Sequence, residues 1–192
     1  MPHRRAVFAQ GEYYHICNRG AARGRLFFKP ANYEHCLRLL KRYRSRYGAT
    51  VIAYCLMPNH YHLLLRQETD TPLSRLINTV FNAYVQAVNI QENRSGALFE
   101  GRFRHACVEK ERYLVHVCRY IHLNPVRAKL VRRAEEWPYS NYLEWIGRRG
   151  GTLCDETFIR KWFGDGEAYQ RFVADEADEL RMRDQVSRYF WD

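Results

Sequence analysis

Two histidines, His60 and His62, are the side chains in this sequence best placed to do chemistry. They follow Tyr54-Cys-Leu-Met-Pro-Asn59 and precede three leucines, in a run whose composition is typical of a buried strand. Because successive side chains of a strand point to opposite faces, His60 and His62 share one face. Two imidazoles held side by side can supply two ligands to a divalent metal. The alternative is a pair of satisfied core or edge histidines that bind nothing.

A predicted helix that starts near Glu109 and ends before Asn124-Pro125 carries the other candidate groups. Tyr113, Tyr120 and Asn124 are spaced so that they form one stripe along it, together with His116. A tyrosine can attack a phosphodiester if its phenol is deprotonated and a metal polarises the phosphate. The carbonyl oxygen of Asn124, one turn after Tyr120, could be a third metal ligand. Alternatively, both tyrosines are core aromatics and the asparagine only ends the helix before a proline.

The remaining patterns predict an α+β fold of ferredoxin-like type. Strands are predicted at 12–19, 51–56, 60–66 and 98–108, and helices at 30–48, 71–89 and 109–123. The two middle strands flank the turn signal Met57-Pro58-Asn59 and are expected to pair as a hairpin. This order favours an antiparallel sheet with helices packed on one face. We expect a catalytic domain over 1–145 and a small acidic helical appendage over 146–192, with short helices that include 169–180.

The charge of the chain favours a nucleic-acid partner. The formal net charge is +10, and only five of the 31 basic residues are lysines. Arginine matches phosphate oxygens and also stacks on bases. Residues 1–150 carry 25 basic and 11 acidic groups, whereas residues 151–192 carry 6 and 10. A basic, aromatic-rich body suggests unpaired bases as the target, although a generic basic surface is the alternative.

Other features of the composition exclude several classes. No stretch is apolar enough for a membrane span or a signal peptide, so no membrane partner is expected. The six cysteines are scattered and include no Cys-x-x-Cys pair. Reduced thiols in a cytoplasm are therefore the simplest reading.

Four ordered segments resemble the single-tyrosine HUH transposases, and more closely the REP-associated tyrosine transposases of bacteria. They are Tyr14-His-Ile-Cys-Asn-Arg-Gly20, Tyr54-Cys-Leu-Met-Pro-Asn-His-Tyr-His62, Leu98-Phe-Glu-Gly-Arg-Phe103 and Arg119-Tyr-Ile-His-Leu-Asn-Pro-Val-Arg-Ala128. The later Trp137-Pro-Tyr-Ser140 segment fits as well. The resemblance covers roughly residues 10–145 and is far more specific than any one motif.

The resemblance implies a role for each matched residue. His60 and His62 fall on the metal motif of the family, and Tyr120 falls on its catalytic tyrosine. Asn124 falls where the wider group places a polar third metal ligand, often glutamine, so this chain departs from the commoner residue. Tyr113, seven residues before Tyr120 on nearly the same face, is the competing nucleophile. His116 and His122 flank Tyr120, where a structural role is the simpler interpretation.

The implied reaction is metal-dependent cleavage of single-stranded DNA with Mg²⁺ or Mn²⁺. Tyr120 would attack to leave a 5′-phosphotyrosine link, and a later 3′-hydroxyl attack would rejoin strands. The implied substrate is a hairpin of repetitive extragenic palindrome (REP) type. Candidate DNA contacts are Arg19, Arg102, Arg104 and Arg127, and the protein would act as a monomer or homodimer. The competing hypotheses are a hairpin DNA- or RNA-binding module without chemistry and a metallonuclease that uses water.

Overall fold

A computed structural model describes residues 7–175, 182 and 185–189 of the 192-residue chain. The elements that position the site are β1 (Tyr13–Arg19), α1 (Pro30–Arg44), β2 (Ala49–Met57), β3 (His60–Gln67), α2 (Leu73–Gln91), β4 (Arg104–Cys107), α3 (Glu111–Arg127), α4 (Tyr142–Trp145), α5 (Glu156–Phe163) and α6 (Gly166–Ala174). Short 3-10 turns lie at Ala21–Arg23, Ser45–Tyr47, Ala134–Glu136 and Ser187–Tyr189. Within these described residues, no helix combines the length and the hydropathy that a membrane span requires.

The four strands form one antiparallel sheet in the order β2-β3-β1-β4. This is the strand order of a ferredoxin-like fold, so the predicted fold class is confirmed. Strands β2 and β3 pair as the predicted hairpin, with Met57 opposite His60. A register shift between Val51 and Ala53 marks a bulge in β2, which raises the local twist and re-aims the side chains beside it.

One face of the sheet packs on α1 and α2. Its core includes Ile16, Leu56 and Leu63 from the strands, which alternate with residues that point the other way. The apolar stripe of α2 runs from Leu73 to Val88, as its helical spacing predicts. Helices α1 and α2 cover this face of the sheet, as the sequence predicts.

The opposite face is also covered by helices, which corrects the prediction that the helices lie on one side. Helices α3, α4, α5 and α6 share a second core with Ile52, Cys55 and Leu64 of the sheet. The reason lies in β2 and β3, which are apolar on both faces and would otherwise leave a face exposed to water. Residues 146–175 therefore pack on the sheet; the boundary at 145/146 stays a prediction, and the 176–180 part of the predicted helices lies outside the described residues.

Two boundaries differ from the sequence prediction. Helix α3 continues through Pro125 to Arg127, since a proline in the last turn removes only one backbone hydrogen bond. Strand β4 is limited to Arg104–Cys107, and Phe99 makes only an isolated bridge to Gly20. The loop between them includes Gly101 and is not held by a ladder.

The segment after α3 covers the edge of β2. The Leu56 N–H donates to the Tyr139 carbonyl at 2.9 Å, and the Asp155 N–H donates to the Val51 carbonyl at 3.1 Å. An indole N–H from Trp145 also donates to the Ile52 carbonyl at 3.1 Å. These bonds occupy backbone groups that an edge strand would otherwise leave open to another chain.

Candidate active site

His60 and His62 lie on the same face of β3, beneath α3. Their ring centroids are 5.0 Å apart and the rings are nearly perpendicular, at 86°. In the register with β1, Arg19 pairs with His60 and Cys17 pairs with His62. Because cross-strand partners point to one face, His15 also lies on this face, two residues before Cys17.

His62 is buried and one of its ring nitrogens is unsatisfied. His62 is 1 % exposed, and its Nδ1 lies 3.0 Å from Nε2 of His15. Its Nε2 is buried with no hydrogen-bond partner. Burial, followed by the nearby His15, His60 and Arg127, holds the pKa of the His62 imidazole well below its usual range. The ring is therefore neutral at physiological pH, which is the form that binds metals.

His60 is oriented by its neighbour Asn59. The Asn59 side-chain nitrogen donates to the Arg23 carbonyl at 3.4 Å, so its oxygen faces Nδ1 of His60 at 2.7 Å. The turn is anchored by Gly20, whose N–H donates to the Asn59 carbonyl at 2.8 Å. A Cβ at Gly20 would lie 2.0 Å from the Gly24 carbonyl oxygen, so a side chain is not tolerated there.

Tyr120, and not Tyr113, lies against the histidines. Its ring centroid is 5.4 Å from that of His62 and 5.8 Å from that of His15, edge-on to both. Tyr113 instead packs on Tyr189, and its hydroxyl bonds Gln185 at 3.2 Å. Of the two candidate nucleophiles on α3, only Tyr120 therefore shares an environment with the predicted metal ligands.

Asn124 lies one turn beyond Tyr120 and is buried. Its side-chain nitrogen donates to the Tyr120 carbonyl at 2.9 Å, which leaves the amide oxygen as the end that could bind a cation. The same bond holds the Asn124 side chain to the helix that carries the tyrosine. Its predicted role as a ligand stays a prediction.

The donor set around the histidines fits a divalent cation. The unsatisfied Nε2 of buried His62 is the observation that supports it, since an unpaired buried polar atom is costly unless something binds it. In the part of the chain that is described, no cluster of three or more His, Cys, Asp or Glu side chains could hold a metal. Two imidazoles would therefore need oxygen ligands such as Asn124, phosphate or water to complete the shell.

The four predicted DNA-binding arginines lie in different surroundings. Arg19 forms a two-point ion pair with Glu100, at 2.9 and 3.2 Å, and Arg104 lies 4.0 Å from the same carboxylate. Arg102 is exposed. The guanidinium of Arg127 lies over the Tyr120 ring, 5.0 Å from its centroid, and is the arginine of the set placed beside the candidate nucleophile.

The flanking histidines serve packing. The Arg119 guanidinium donates to Nδ1 of His116 at 3.0 Å. Buried His122 contacts the Tyr169 hydroxyl at 2.6 Å and the Asn141 side chain at 2.9 Å. Sequence reasoning missed His15, the histidine that touches His62. The sequence shows His15 two residues before Cys17 in a predicted strand. The pairing of β1 with β3 that brings it to His62 joins residues far apart in the chain, so the sequence alone did not indicate the contact.

The four-stranded antiparallel sheet, with two histidines on one strand and the helix of Tyr120 above them, is the arrangement that the resemblance to single-tyrosine transposases leads us to expect. The chain belongs to the family described as "Transposase IS200 like", whose sequence pattern matches residues 9–124. This membership places the protein among the DNA transposases, which are enzymes.

Two proteins that are similar to this chain carry the name REP-associated tyrosine transposase. A Haemophilus influenzae protein that is provisionally named as one is 26 % identical over 120 residues, covering 54 % of this chain and 68 % of that protein. The solved structure of a REP-associated tyrosine transposase bound to a REP hairpin matches with a TM-score of 0.66 at 18 % identity, covering 81 % of this chain and 94 % of that one. At that identity the structural likeness shows the fold.

Proposed function

We propose that this protein nicks single-stranded DNA at REP-type hairpins and transfers the strand through a covalent link to Tyr120. The observation that carries the proposal is the edge-on contact of the Tyr120 ring with His62, whose Nε2 has no protein partner. A nucleophile and a metal ligand set in contact on rigid elements are what phosphoryl transfer to a side chain requires.

His60, His62 and Asn124 are the residues that would hold Mg²⁺ or Mn²⁺. When bound, such an ion withdraws charge from the scissile phosphate and orients it. Two imidazoles and one amide oxygen are all neutral, so the ligand set would leave the full positive charge facing the DNA.

Tyr120 provides the covalent chemistry. Its phenol oxygen forms a bond to phosphorus as the bond from phosphorus to the 3′ oxygen breaks, and the phenol loses its proton. The products are a 5′-phosphotyrosine and a free 3′-hydroxyl, and attack by a 3′-hydroxyl reverses the step. Arg127, 5.0 Å above the ring centroid, would stabilise negative charge that develops on the phenol. Because Tyr120 is 1 % exposed, the side chains that cover it must move to admit a phosphate.

The proposed substrate rests on charge and on the comparison. The relative of known structure is bound to a REP hairpin, and residues 1–150 of this chain carry 21 of its 26 arginines. Arg19, Arg102, Arg104 and Arg127 are the proposed contacts to phosphates and bases. The protein would act as a monomer or a homodimer.

A denaturing gel with labelled hairpin DNA, with and without Mn²⁺, tests the proposal. We expect a metal-dependent, protease-sensitive band of protein joined to DNA. It should disappear in Tyr120→Phe and His62→Ala and persist in Tyr113→Phe, which makes the same change about two turns earlier on the same helix.

The other outcomes select the alternatives. Cleavage that leaves no adduct and survives Tyr120→Phe would indicate a metallonuclease that uses water. Tight binding with neither adduct nor cleavage across several hairpins would indicate a DNA- or RNA-binding module. An adduct that is lost only in Tyr113→Phe would indicate that Tyr113, and not Tyr120, is the nucleophile.

A further inference from the structure

His15 is a fully buried histidine in direct contact with His62. It is 0 % exposed, and the two rings are stacked at 28° with centroids 5.1 Å apart. Its Nδ1 lies 2.5 Å from the backbone carbonyl oxygen of Tyr189, and its Nε2 lies 3.0 Å from Nδ1 of His62. The three groups thus form a continuous chain of hydrogen bonds that ends at the predicted metal ligand.

The direction of this chain is fixed by its first member. A carbonyl oxygen can only accept, so the proton of His15 must be on Nδ1. The Nε2 of an imidazole that carries its proton on Nδ1 is an acceptor. The Nδ1 of His62 must donate to it. A neutral His62 that carries its proton on Nδ1 has its lone pair on Nε2, which is the atom without a partner.

His60, the other predicted ligand, is oriented in a similar way, but by Asn59. The Asn59 oxygen faces Nδ1 of His60, while the Asn59 nitrogen is committed to the Arg23 carbonyl. An amide oxygen accepts, so His60 also carries its proton on Nδ1. Two unrelated side chains thus set the same tautomer in both histidines.

We propose that His15 is a positioning residue that holds His62 as the Nδ1–H tautomer and so presents Nε2 to the metal. The inference rests on the proposed function in one respect, namely that His62 is a metal ligand. Outer groups that orient a ligating imidazole in this way strengthen metal binding by fixing its tautomer and raising its basicity. Through the Tyr189 carbonyl, the orientation of His62 also depends on the turn at Ser187–Tyr189.

Long-range ¹H–¹⁵N correlation of the histidine rings in the metal-free wild-type protein tests the tautomer directly. We expect His62 to carry its proton on Nδ1, with Nε2 unprotonated. A proton on Nε2 of His62, or a doubly protonated His15, would overturn the proposal. This measurement needs no variant and no DNA.

Calorimetric titration with Mn²⁺ alone tests the consequence. His15→Phe should weaken Mn²⁺ binding by about 10- to 100-fold, the usual cost of losing an outer partner. His15→Gln supplies a new amide acceptor and should restore most of the affinity. His105→Phe is the matched control, because His105 pairs with Ile16 of β1 and so lies on the opposite face of the sheet; it should bind as the wild type does.

The outcomes separate this inference from the proposed function. A folded His15→Phe protein that binds Mn²⁺ within about threefold of wild type would refute the positioning role, as would a wild-type protein that binds no Mn²⁺. If Mn²⁺ binding depends on His15 but the wild-type protein forms no DNA adduct, the positioning role stands and the proposed reaction fails.

Discussion

The two faces of the sheet bury polar groups for different purposes. Under α1 and α2, buried Asn32 and Gln67 accept from backbone N–H groups at the starts of the two helices. Under α3, the buried polar side chains of the described residues include His15, His62, Arg119, His122, Asn124 and Asn141. Groups on the first face accept from N–H groups at helix starts, whereas those on the second bond both the backbone and one another, which fixes the orientations of the buried imidazoles.

The second face also depends on a polar junction away from the histidines. The Asn141 oxygen accepts from the Tyr54 N–H at 2.6 Å and contacts His122 at 2.9 Å, while its nitrogen donates to the Ile52 carbonyl at 2.9 Å. One amide therefore joins β2, α3 and the segment before α4. Because α3 carries Tyr120, this junction helps to hold the proposed nucleophile over the sheet.

The largest expected loss of stability comes from breaking that junction. Asn141→Ala should lower the free energy of unfolding by about 3 to 4 kcal/mol, because several buried groups lose their partners at about 1 to 3 kcal/mol each. Urea denaturation followed by tryptophan fluorescence measures it. Asn141→Asp keeps the acceptor but sets a buried carboxylate oxygen against the Ile52 carbonyl, so it should lose a similar amount. A loss below about 1 kcal/mol for Asn141→Ala would mean that water replaces the amide and that the junction is not a determinant of this face.

Acid should weaken the second face selectively. Burial lowers the pKa of His122 from 6.5 to about 4, against a smaller opposing effect of Asn141. The unfolded chain then binds a proton that the folded protein does not, so stability falls as the pH drops from about 6.5 towards 4. Between pH 7 and pH 5 this histidine should cost about 2 kcal/mol, and His62, whose pKa is also lowered, should add to the loss.

His122→Gln separates the contribution of His122 from that of His62. Its unfolding free energy at pH 7 will be lower, but the average slope of that free energy between pH 7 and pH 5 should be shallower than that of wild type by about 0.7 proton. An unchanged slope would show that His122 does not titrate on unfolding, and the acid sensitivity would then belong to other groups.

Arg127 is the test of whether the second face also supports chemistry through charge. Arg127→Ala should slow adduct formation at saturating hairpin DNA about tenfold, which corresponds to about 1.4 kcal/mol. Arg102→Ala removes an exposed arginine and should weaken DNA binding without changing the rate at saturation. Equal loss of rate in both variants would mean that Arg127 contributes through general binding and not through Tyr120.

How much of this could be predicted from the sequence depends on the range of the interaction. Strand alternation placed His60 and His62 together, and helical spacing placed Tyr113 and Tyr120 on one stripe, because both are local regularities. Which tyrosine meets the histidines depends on how α3 lies across the sheet, and His15 reaches His62 through the pairing of β1 with β3. Neither contact can be predicted from a short stretch of sequence.

The covering of the second face was missed for a related reason. Short helices after residue 145 have acidic surfaces and weak patterns, so they suggest an appendage. Their apolar residues are nevertheless buried, as Phe158 and Tyr169 show. The continuous apolar runs of β2 and β3 were the available signal, since a strand with two apolar faces needs a cover on each.

The smallest expected effect belongs to the first face. Asn32→Ala removes the oxygen that accepts from the Phe28 and Lys29 N–H groups at 3.0 Å each, before and at the start of α1. The free energy of unfolding should fall by about 1 kcal/mol, the usual cost of a lost helix cap, while Mn²⁺ binding and adduct formation stay at wild-type levels. Asn32→Asp keeps the acceptor at the positive end of the helix and should recover the loss. If Asn32→Ala instead reduced Mn²⁺ affinity, the two faces would be coupled, and the separation of a structural face from a reactive one would not hold.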